Sequence, residues 1–239
     1  MTARLMLERK GIEYKRIDLL PIMHRPLLKT LRFPDTTVPA LQIDGEKIQN
    51  TRQISRALER RVPDPPLFPS DPERRAAVEE AERWGDQEFW DPPNRIAWWA
   101  VAHDQKSIPS LLEEARLPLW LTPILAPPIA AMATRRNQAD DEHTRPDLAK
   151  LPGLLDRIDA WLEEGVIGGA EPNAADYQIA PSLRLLMCLD DLRPFIDARP
   201  AGEFARRVAP YFPGRVRPVF PPEWLDPLRA SGSASPSGA

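Results

Sequence analysis

The alternation of apolar and polar residues predicts three strands in the first quarter of the chain. Residues 12–19 alternate with a period of two, which is typical of a half-buried strand. A second strand is predicted over 38–43 and a return strand over 47–49. The Asp44-Gly45 pair between them is a strong hairpin signal.

Helices flank these strands. Residues 3–10 are good helix formers, and Gly11 stands where a left-handed helix end is expected. Residues 21–32 predict a short helical or irregular connection. Residues 51–60 predict a helix with one apolar face. The order of elements is therefore that of an incomplete βαββα unit.

From Ser70 onward the pattern predicts helices alone. The prolines of 63–69 favour a stiff, extended connection. Ser70 and Glu73 have the spacing of a capping box at the start of the next helix. The predicted helices cover 72–90, 94–104, 108–115, 119–135, 147–164, 174–189 and 202–209.

These elements divide the chain into a small α/β domain over 1–62, a linker over 63–70 and an all-α domain over 71–228. Residues 229–239 are rich in Ser, Gly, Ala and Pro, which predicts a disordered tail. A chain of 239 residues is long enough for two such domains.

Composition narrows the class of protein. The chain is 42% hydrophobic and 28% charged, as expected for a globular protein, and its net charge of -3 gives no electrostatic case for a nucleic-acid partner. A single cysteine, Cys188, excludes an intramolecular disulfide and a Cys-rich metal site.

The first ten residues do not have the pattern of a signal peptide, so we expect a cytoplasmic protein. The apolar run 117–133 contains four prolines and predicts a buried, broken helix or a pocket wall and not a membrane segment, so no membrane partner is expected.

Three segments at suitable spacing carry a resemblance to a known family. They are 3–14, 36–54 and 168–176. On these segments the chain resembles the glutathione S-transferases, and the resemblance covers residues 3 to about 213. It implies a thioredoxin-like N-terminal domain, a helical C-terminal domain, glutathione as co-substrate, a small-molecule electrophile as partner, a homodimer and a role in detoxification.

Val38 and Pro39 resemble the family's cis-proline site. A cis bond would turn the Val38 backbone outward, where glutathione's cysteinyl unit could pair with it like an added strand. A trans proline that simply begins a strand is the alternative interpretation.

Asn50 and Thr51 stand at the start of the following helix. The resemblance implies that Thr51 holds the γ-glutamyl carboxylate, because a helix N-terminus presents free N–H groups and positive dipole. Thr51 could also be a plain N-cap. The family usually has an acidic residue where this chain has Asn50, and often a basic one where it has Thr37, so two charged contacts are absent.

The family's catalytic Ser, Tyr or Cys lies in a turn that precedes the first helix. Met1 and Thr2 are the only residues before that helix here, so no catalytic residue is identified and we expect one upstream of Met1. Either the start of the sequence is displaced or the protein has lost this element.

The remaining candidates have simpler interpretations. Asn173 and Asp176 predict a structural capping box. Three histidines lack metal-ligand spacing, and no metal site is predicted: His24, His103 and His143. Three acids are expected on a solvated helix face: Glu79, Glu80 and Glu82. Five aromatic residues suggest a helical core or domain interface, or alternatively an electrophile pocket: Trp84, Phe89, Trp90, Trp98 and Trp99. Cys188 lies among apolar residues and is expected to be a buried, inert thiol.

Three functions are compatible with the resemblance. The first is a glutathione transferase that directs the thiol at an apolar electrophile. The second is a non-catalytic binding or interaction module with the same fold, which the missing catalytic turn favours. The third is a glutathione-dependent isomerase or dehalogenase, which would share the glutathione site and differ in its substrate pocket.

Overall fold

The computed structural model describes residues 1–18, 24–111, 113 and 122–232. Parts of the predicted helices around 108–121 and most of the predicted tail lie outside these residues. The two strands are β1, Ala40–Ile43, and β2, Glu46–Gln49. The helices are α1 Thr2–Arg9, α2 His24–Thr30, α3 Thr51–Arg61, α4 Pro72–Gln87, α5 Asp91–His103, α6 Ile108–Leu111, α7 Thr122–Arg136, α8 Asp141–Glu163, α9 Ala174–Met187, α10 Arg193–Asp197, α11 Pro200–Val208 and α12 Asp226–Gly232.

The contacts between residues divide the chain into two compact units. The first consists of Met1–Asp86 and Val166–Ile179, and the second of Gln87–Gly165 and Ala180–Ala239. Because these units are defined by residue contacts and their boundaries do not coincide with the proline-rich segment, the predicted linker at 63–70 stays a prediction.

The hairpin forms as the sequence predicts. β1 and β2 are antiparallel, with Ala40 opposite Gln49 and Ile43 opposite Glu46. Asp44 and Gly45 form the turn with φ values of 49° and 80°, the left-handed values that a two-residue hairpin turn requires. α3 packs against β2 and against α1, and this packing buries Ile48, Ile54 and Leu58.

The predicted strand over 12–19 is not observed among its described residues, since residues 12–18 belong to no strand. A strand needs a neighbour for its backbone hydrogen bonds, and the sheet described here consists of β1 and β2 alone. The pattern of burial near the end of this segment is also the reverse of the prediction. The apolar Ile17 is 65% exposed, whereas the charged Arg16 and Asp18 bond to each other and are partly covered.

Helix ends follow local capping rules, with one correction. Gly11 has the predicted left-handed φ of 64° after α1. The predicted Ser70–Glu73 capping box is wrong in register. The Asp71 carboxylate accepts from the Arg74 N–H at 2.9 Å, and Pro72 is the first helical residue. Proline is favoured there because its missing N–H would be unpaired anyway.

A buried lysine ties the end of α1 to the end of α3. The Lys10 Nζ donates to Glu59 Oε2 at 2.6 Å and to the carbonyl oxygens of Val62 and Pro65 at 2.6 and 2.7 Å. Because all three donors of the ammonium find acceptors, its charge is tolerated out of water. This contact fixes the C-terminal end of the helix whose N-terminal end belongs to the candidate site.

The second unit is built around the long helix α8. α5, α11 and α12 pack against it, and α7 packs against α5. α8 begins at Asp141, earlier than the predicted residue 147, because Asp140 caps it by accepting from the His143 N–H and the helix continues through Pro146. α10 and α12 were not predicted, since both are short. The described helices include none that is long and apolar enough to cross a membrane.

Candidate functional site

Five residues that the sequence singles out lie at the entry to β1 and at the start of α3. We call Thr37, Val38, Pro39, Asn50 and Thr51 the candidate edge. The peptide bond between Val38 and Pro39 is cis, as predicted. Val38 is 57% exposed, which is high for a large apolar residue, and it lies just before the first strand residue, Ala40.

The side chain of Gln49 fixes the loop that leads to Val38. Its Nε2 donates to the carbonyl oxygens of Asp35 and Thr37, each at 2.8 Å, and its Oε1 accepts from the Asp35 N–H at 2.6 Å. Gln49 itself is buried, so these bonds are partly shielded from water. The same residue is the last of β2 and directly precedes Asn50. Gln49 therefore connects the two halves of the candidate edge.

Asn50 is the N-cap of α3, and Thr51 is the first helical residue. The Asn50 Oδ1 accepts from the Arg52 N–H at 2.8 Å. Asn50 has a φ of 69°, a value that Asn and Asp adopt more readily than other non-glycine residues. The alternative in which Thr51 is the cap is thus wrong. The cap is one residue earlier, which leaves the Thr51 hydroxyl outside the capping interaction.

The candidate edge carries no charge of its own, although a basic residue follows it. The first turn of α3 contains no acid. Its second residue is Arg52, whose Nε lies 3.8 Å from the buried carboxylate of Glu82, and the N–H groups of the first turn add partial positive charge. An anion is therefore favoured at this helix end, while a cationic group beside Asn50 finds a polar but neutral partner.

A buried carboxylate supports the first turns of α3 from α4. Glu82 is 1% exposed; its Oε1 accepts from Ser55 Oγ at 2.7 Å and its Oε2 from Arg56. The prediction that Glu82 faces solvent is wrong, because α4 turns this position toward α3, while Glu80 is exposed as expected. Burial raises the pKa of Glu82 above its ordinary value, and the bonds from Ser55 and Arg56 oppose that shift.

The predicted capping box at α9 is confirmed. Asn173 Oδ1 accepts from the Ala175 N–H at 2.9 Å and the Asp176 N–H at 3.2 Å. Asp176 answers by accepting from the Asn173 N–H at 2.6 Å, and its other oxygen accepts from the Gly168 N–H at 2.6 Å. Asp176 is fully buried and completes these bonds, so its role is structural.

The other candidates lie in structural settings. Trp99 is buried and stacks on His103 at 3.7 Å and on Phe220 at 4.9 Å between ring centroids. Trp84 and Phe89 are buried and Trp90 is exposed. Burial raises the pKa of the Cys188 thiol to about 11, as expected for an inert cysteine. The part of the chain that the structure describes contains no group of His, Cys, Asp and Glu that could hold a metal ion.

Sequence reasoning missed Gln49, because the burial of this residue is visible only in the structure. Ile48 and Gln49 are both buried, so the period of two breaks at the end of β2. A polar residue at such a break needs partners, and the nearby loop supplies them.

The comparisons with known proteins agree with this architecture. Residues 1–66 match the family model described as glutathione S-transferase, N-terminal domain. A segment of 72 residues is 39% identical to a probable maleylacetoacetate isomerase of Caenorhabditis elegans, and it covers 30% of this chain and 33% of that protein. The chain thus spans a third of that curated relative.

Solved structures extend the likeness to the helical part. Glutathione transferase F2 from Populus trichocarpa superposes with a TM-score of 0.58 at 17% identity, over 98% of this chain and 96% of that one. A GST-like protein from Pseudomonas syringae gives 0.56 at 20% identity, over 91% of this chain and 64% of that one. Residues 1–66 are therefore similar to the N-terminal domain of the glutathione S-transferases, and the chain has the fold of those proteins, a thioredoxin-like N-terminal domain followed by a helical C-terminal domain.

Proposed function

We propose that this chain binds glutathione along the candidate edge and directs the glutathione thiol at an apolar electrophile. The observation that carries the proposal is the exposed Val38 next to the cis Pro39, joined through Gln49 to the N-terminus of α3. The edge holds the backbone of the ligand. Activation of the thiol is a separate step, and we assign it to no residue.

Each end of the edge suits a different part of glutathione. The backbone of Val38 offers an N–H and a carbonyl oxygen to an extended peptide, so the cysteinyl unit would add as a short strand. The γ-glutamyl carboxylate would lie at the start of α3, where Thr51 adds a hydroxyl to the free N–H groups.

The contacts that Thr37 and Asn50 offer to glutathione are weaker than those of charged side chains. Thr37 offers a hydroxyl to the glycyl carboxylate, and Asn50 offers an amide oxygen to the ammonium group. Hydrogen bonds to neutral partners contribute less than those between charged groups. We therefore expect weak binding, with a dissociation constant in the millimolar range.

Calorimetric titration of the full chain with glutathione tests this proposal. Thr51→Ala removes the hydroxyl while the cap from Asn50 remains, and it should weaken binding roughly threefold to tenfold. The matched control is Thr30→Ala, since Thr30 is an exposed threonine bonded to the Pro26 carbonyl in α2. Equal affinities for both variants, or no saturable binding by the wild type at millimolar glutathione, would contradict the proposal.

A second candidate is glutathione-dependent isomerisation of an unsaturated acid. It is favoured by the 39% identity over 72 residues with the probable maleylacetoacetate isomerase. In such a reaction the thiolate adds to the double bond, the new single bond rotates, and the thiolate leaves, so glutathione is regenerated. Conversion of maleylacetoacetate that requires glutathione and does not consume it would support this function. Glutathione binding without turnover of any electrophile would instead indicate a binding module.

The likeness to glutathione S-transferases also supports three further proposals: a homodimer, a cytoplasmic location and a role in detoxification. Sedimentation velocity tests the first of them, since a dimer of this 27.0 kDa chain is readily separated from a monomer.

A further inference from the structure

Three arginines surround a cavity in the second unit. It has a volume of about 240 Å³ and is lined by Arg184, Arg193 and Arg206 together with Met187, Cys188 and Phe212. We call it the arginine cavity. Its arginines come from three elements, α9, α10 and α11, so it is a product of the fold and not of a local run of basic residues. No carboxylate is among its described lining residues.

The backbone holds two of these arginines in place. Arg184 donates from Nε to the carbonyl oxygen of Ala209 at 3.0 Å, and Arg193 donates from Nε to that of Met187 at 2.7 Å. Each bond uses the inner nitrogen of the guanidinium. The terminal nitrogens of Arg184 have no hydrogen-bond acceptor and no carboxylate within ion-pair distance among the described residues. The four N–H donors on these two nitrogens are thereby left for a ligand.

Positive charge exceeds negative charge around the cavity. Asp190 is shared between Arg193 at 3.2 Å and Arg215 at 2.8 Å, and Asp197 pairs with Arg206. Two carboxylates thus serve three arginines, while Arg184 has none. Burial lowers the pKa of Arg184; the charges of Arg206 and Arg193 act in the same direction, and those of Cys188 and Asp197 oppose it. The guanidinium nevertheless stays protonated at neutral pH, so the arginines repel one another until an anion enters.

We propose that the arginine cavity is a binding site for a phosphate group, either free phosphate or a small phosphate monoester. Guanidinium forks match the tetrahedral oxygens of phosphate and bind them with charge-assisted bonds. The cavity has room for about eight water molecules at about 30 Å³ each. That is more than one phosphate ion requires, so the cavity also has space for the organic part of a small ester.

Titration of the full chain with inorganic phosphate at constant ionic strength is the primary test, with glycerol 3-phosphate as the monoester probe. We expect saturable binding of one phosphate per chain, unaffected by replacing part of the chloride with acetate. Tighter binding of glycerol 3-phosphate would assign the site to monoesters, and tighter binding of inorganic phosphate would assign it to the free ion. Absence of saturable binding of both probes would overturn the proposal.

Variants locate the binding. Arg206→Gln should weaken phosphate binding roughly tenfold or more, because it removes a charge-assisted contact. Its control is Arg229→Gln, since Arg229 pairs with Asp226 and is equally exposed, 49% against 48% for the Arg206 side chain. Equal phosphate affinities of the two variants would overturn the assignment.

Cys188 gives a second readout that needs no mutation. Its slow alkylation by iodoacetamide should become slower at saturating phosphate, and an unchanged rate would place the phosphate elsewhere.

Discussion

The Gln49 side chain donates from Nε2 to the carbonyl oxygen of Thr37 at 2.8 Å, one residue before the exposed Val38. The same amide group bonds the Asp35 backbone through both its oxygen and its nitrogen. One buried side chain therefore determines the backbone path into the cis-proline site, and it belongs to the strand that leads directly into α3.

Gln49→Glu tests this dependence. The new carboxylate would face the carbonyl oxygens of Asp35 and Thr37, so two hydrogen bonds would be replaced by repulsion. We expect a loss of about 1–3 kcal/mol in the free energy of unfolding and weaker glutathione binding. Gln42→Glu makes the same chemical change at an exposed position of β1 and should have little effect. Urea unfolding and calorimetry measure both. Equal behaviour of the two variants would show that Gln49 does not hold the loop.

Asn50→Asp should strengthen glutathione binding. Aspartate keeps the N-cap acceptor for the Arg52 N–H, tolerates the positive φ, and places a charge where the ligand's ammonium would lie. We expect about tenfold tighter binding, measured by calorimetry. A glutathione analogue without the amino group is the control and should show no gain. An equal gain with that analogue would mean that the charge acts on the helix and not on the ammonium.

Glu82 gives the stability a specific dependence on pH. Because burial raises its pKa in the folded protein above the ordinary 4.5, the native state binds more protons through this group than the unfolded state does. Its stabilising contribution is therefore present below pH 4.5 and is lost as the pH rises through the folded value. The stability of the wild type relative to Glu82→Gln should fall as the pH increases from 4.5.

Urea unfolding of both proteins between pH 4 and pH 7.5 measures this difference. Glu79→Gln is the control, since Glu79 lies on the same helix and its bond to Arg75 is partly exposed at 3.0 Å. The difference in stability between Glu79→Gln and the wild type should change little over the same pH range. A Glu82→Gln difference that stays constant with pH would contradict the raised pKa.

The capping box of α9 should be asymmetric in its effect on stability. Asn173→Ala removes one cap oxygen and should cost about 1 kcal/mol. Asp176→Ala leaves the Gly168 and Asn173 N–H groups without an acceptor in a buried position, and it should cost about 2–4 kcal/mol. Thermal unfolding ranks the two variants. Asn173→Ala as the more destabilised protein would reverse our assignment of the main stabilising residue.

Local signals predicted the hairpin and the first residues of α3, α4 and α9, whereas α8 begins six residues before its predicted start. Asp44 and Gly45 determine the turn because left-handed φ values suit few other pairs. At α4 the cap lies one residue after the predicted Ser70, and at α3 it lies one residue before Thr51, the alternative cap, since neighbouring residues in each pair can cap equally well. At α4 the signal was available, because Pro72 favours the first helical position and makes Asp71 the cap.

Interactions between distant residues could not be predicted from one sequence. Gln49 bonds residues 12 and 14 positions earlier, and Glu82 bonds Ser55 across 27 positions. A Glu among other Glu residues in a helix has the pattern of a solvated face until its neighbour is known. The same limit applies to the arginine cavity, whose three arginines lie on three separate helices.

Nuclear magnetic resonance gives the most direct test of the central claim that glutathione lies along the candidate edge. The measurement is the change in the backbone amide signals of the ¹⁵N-labelled full chain as glutathione is added. We expect saturable shifts that are largest for Val38, Thr51 and Arg52, and no shift for the exposed Glu80 on α4. Saturable shifts confined to other residues, or none at millimolar glutathione, would contradict the account.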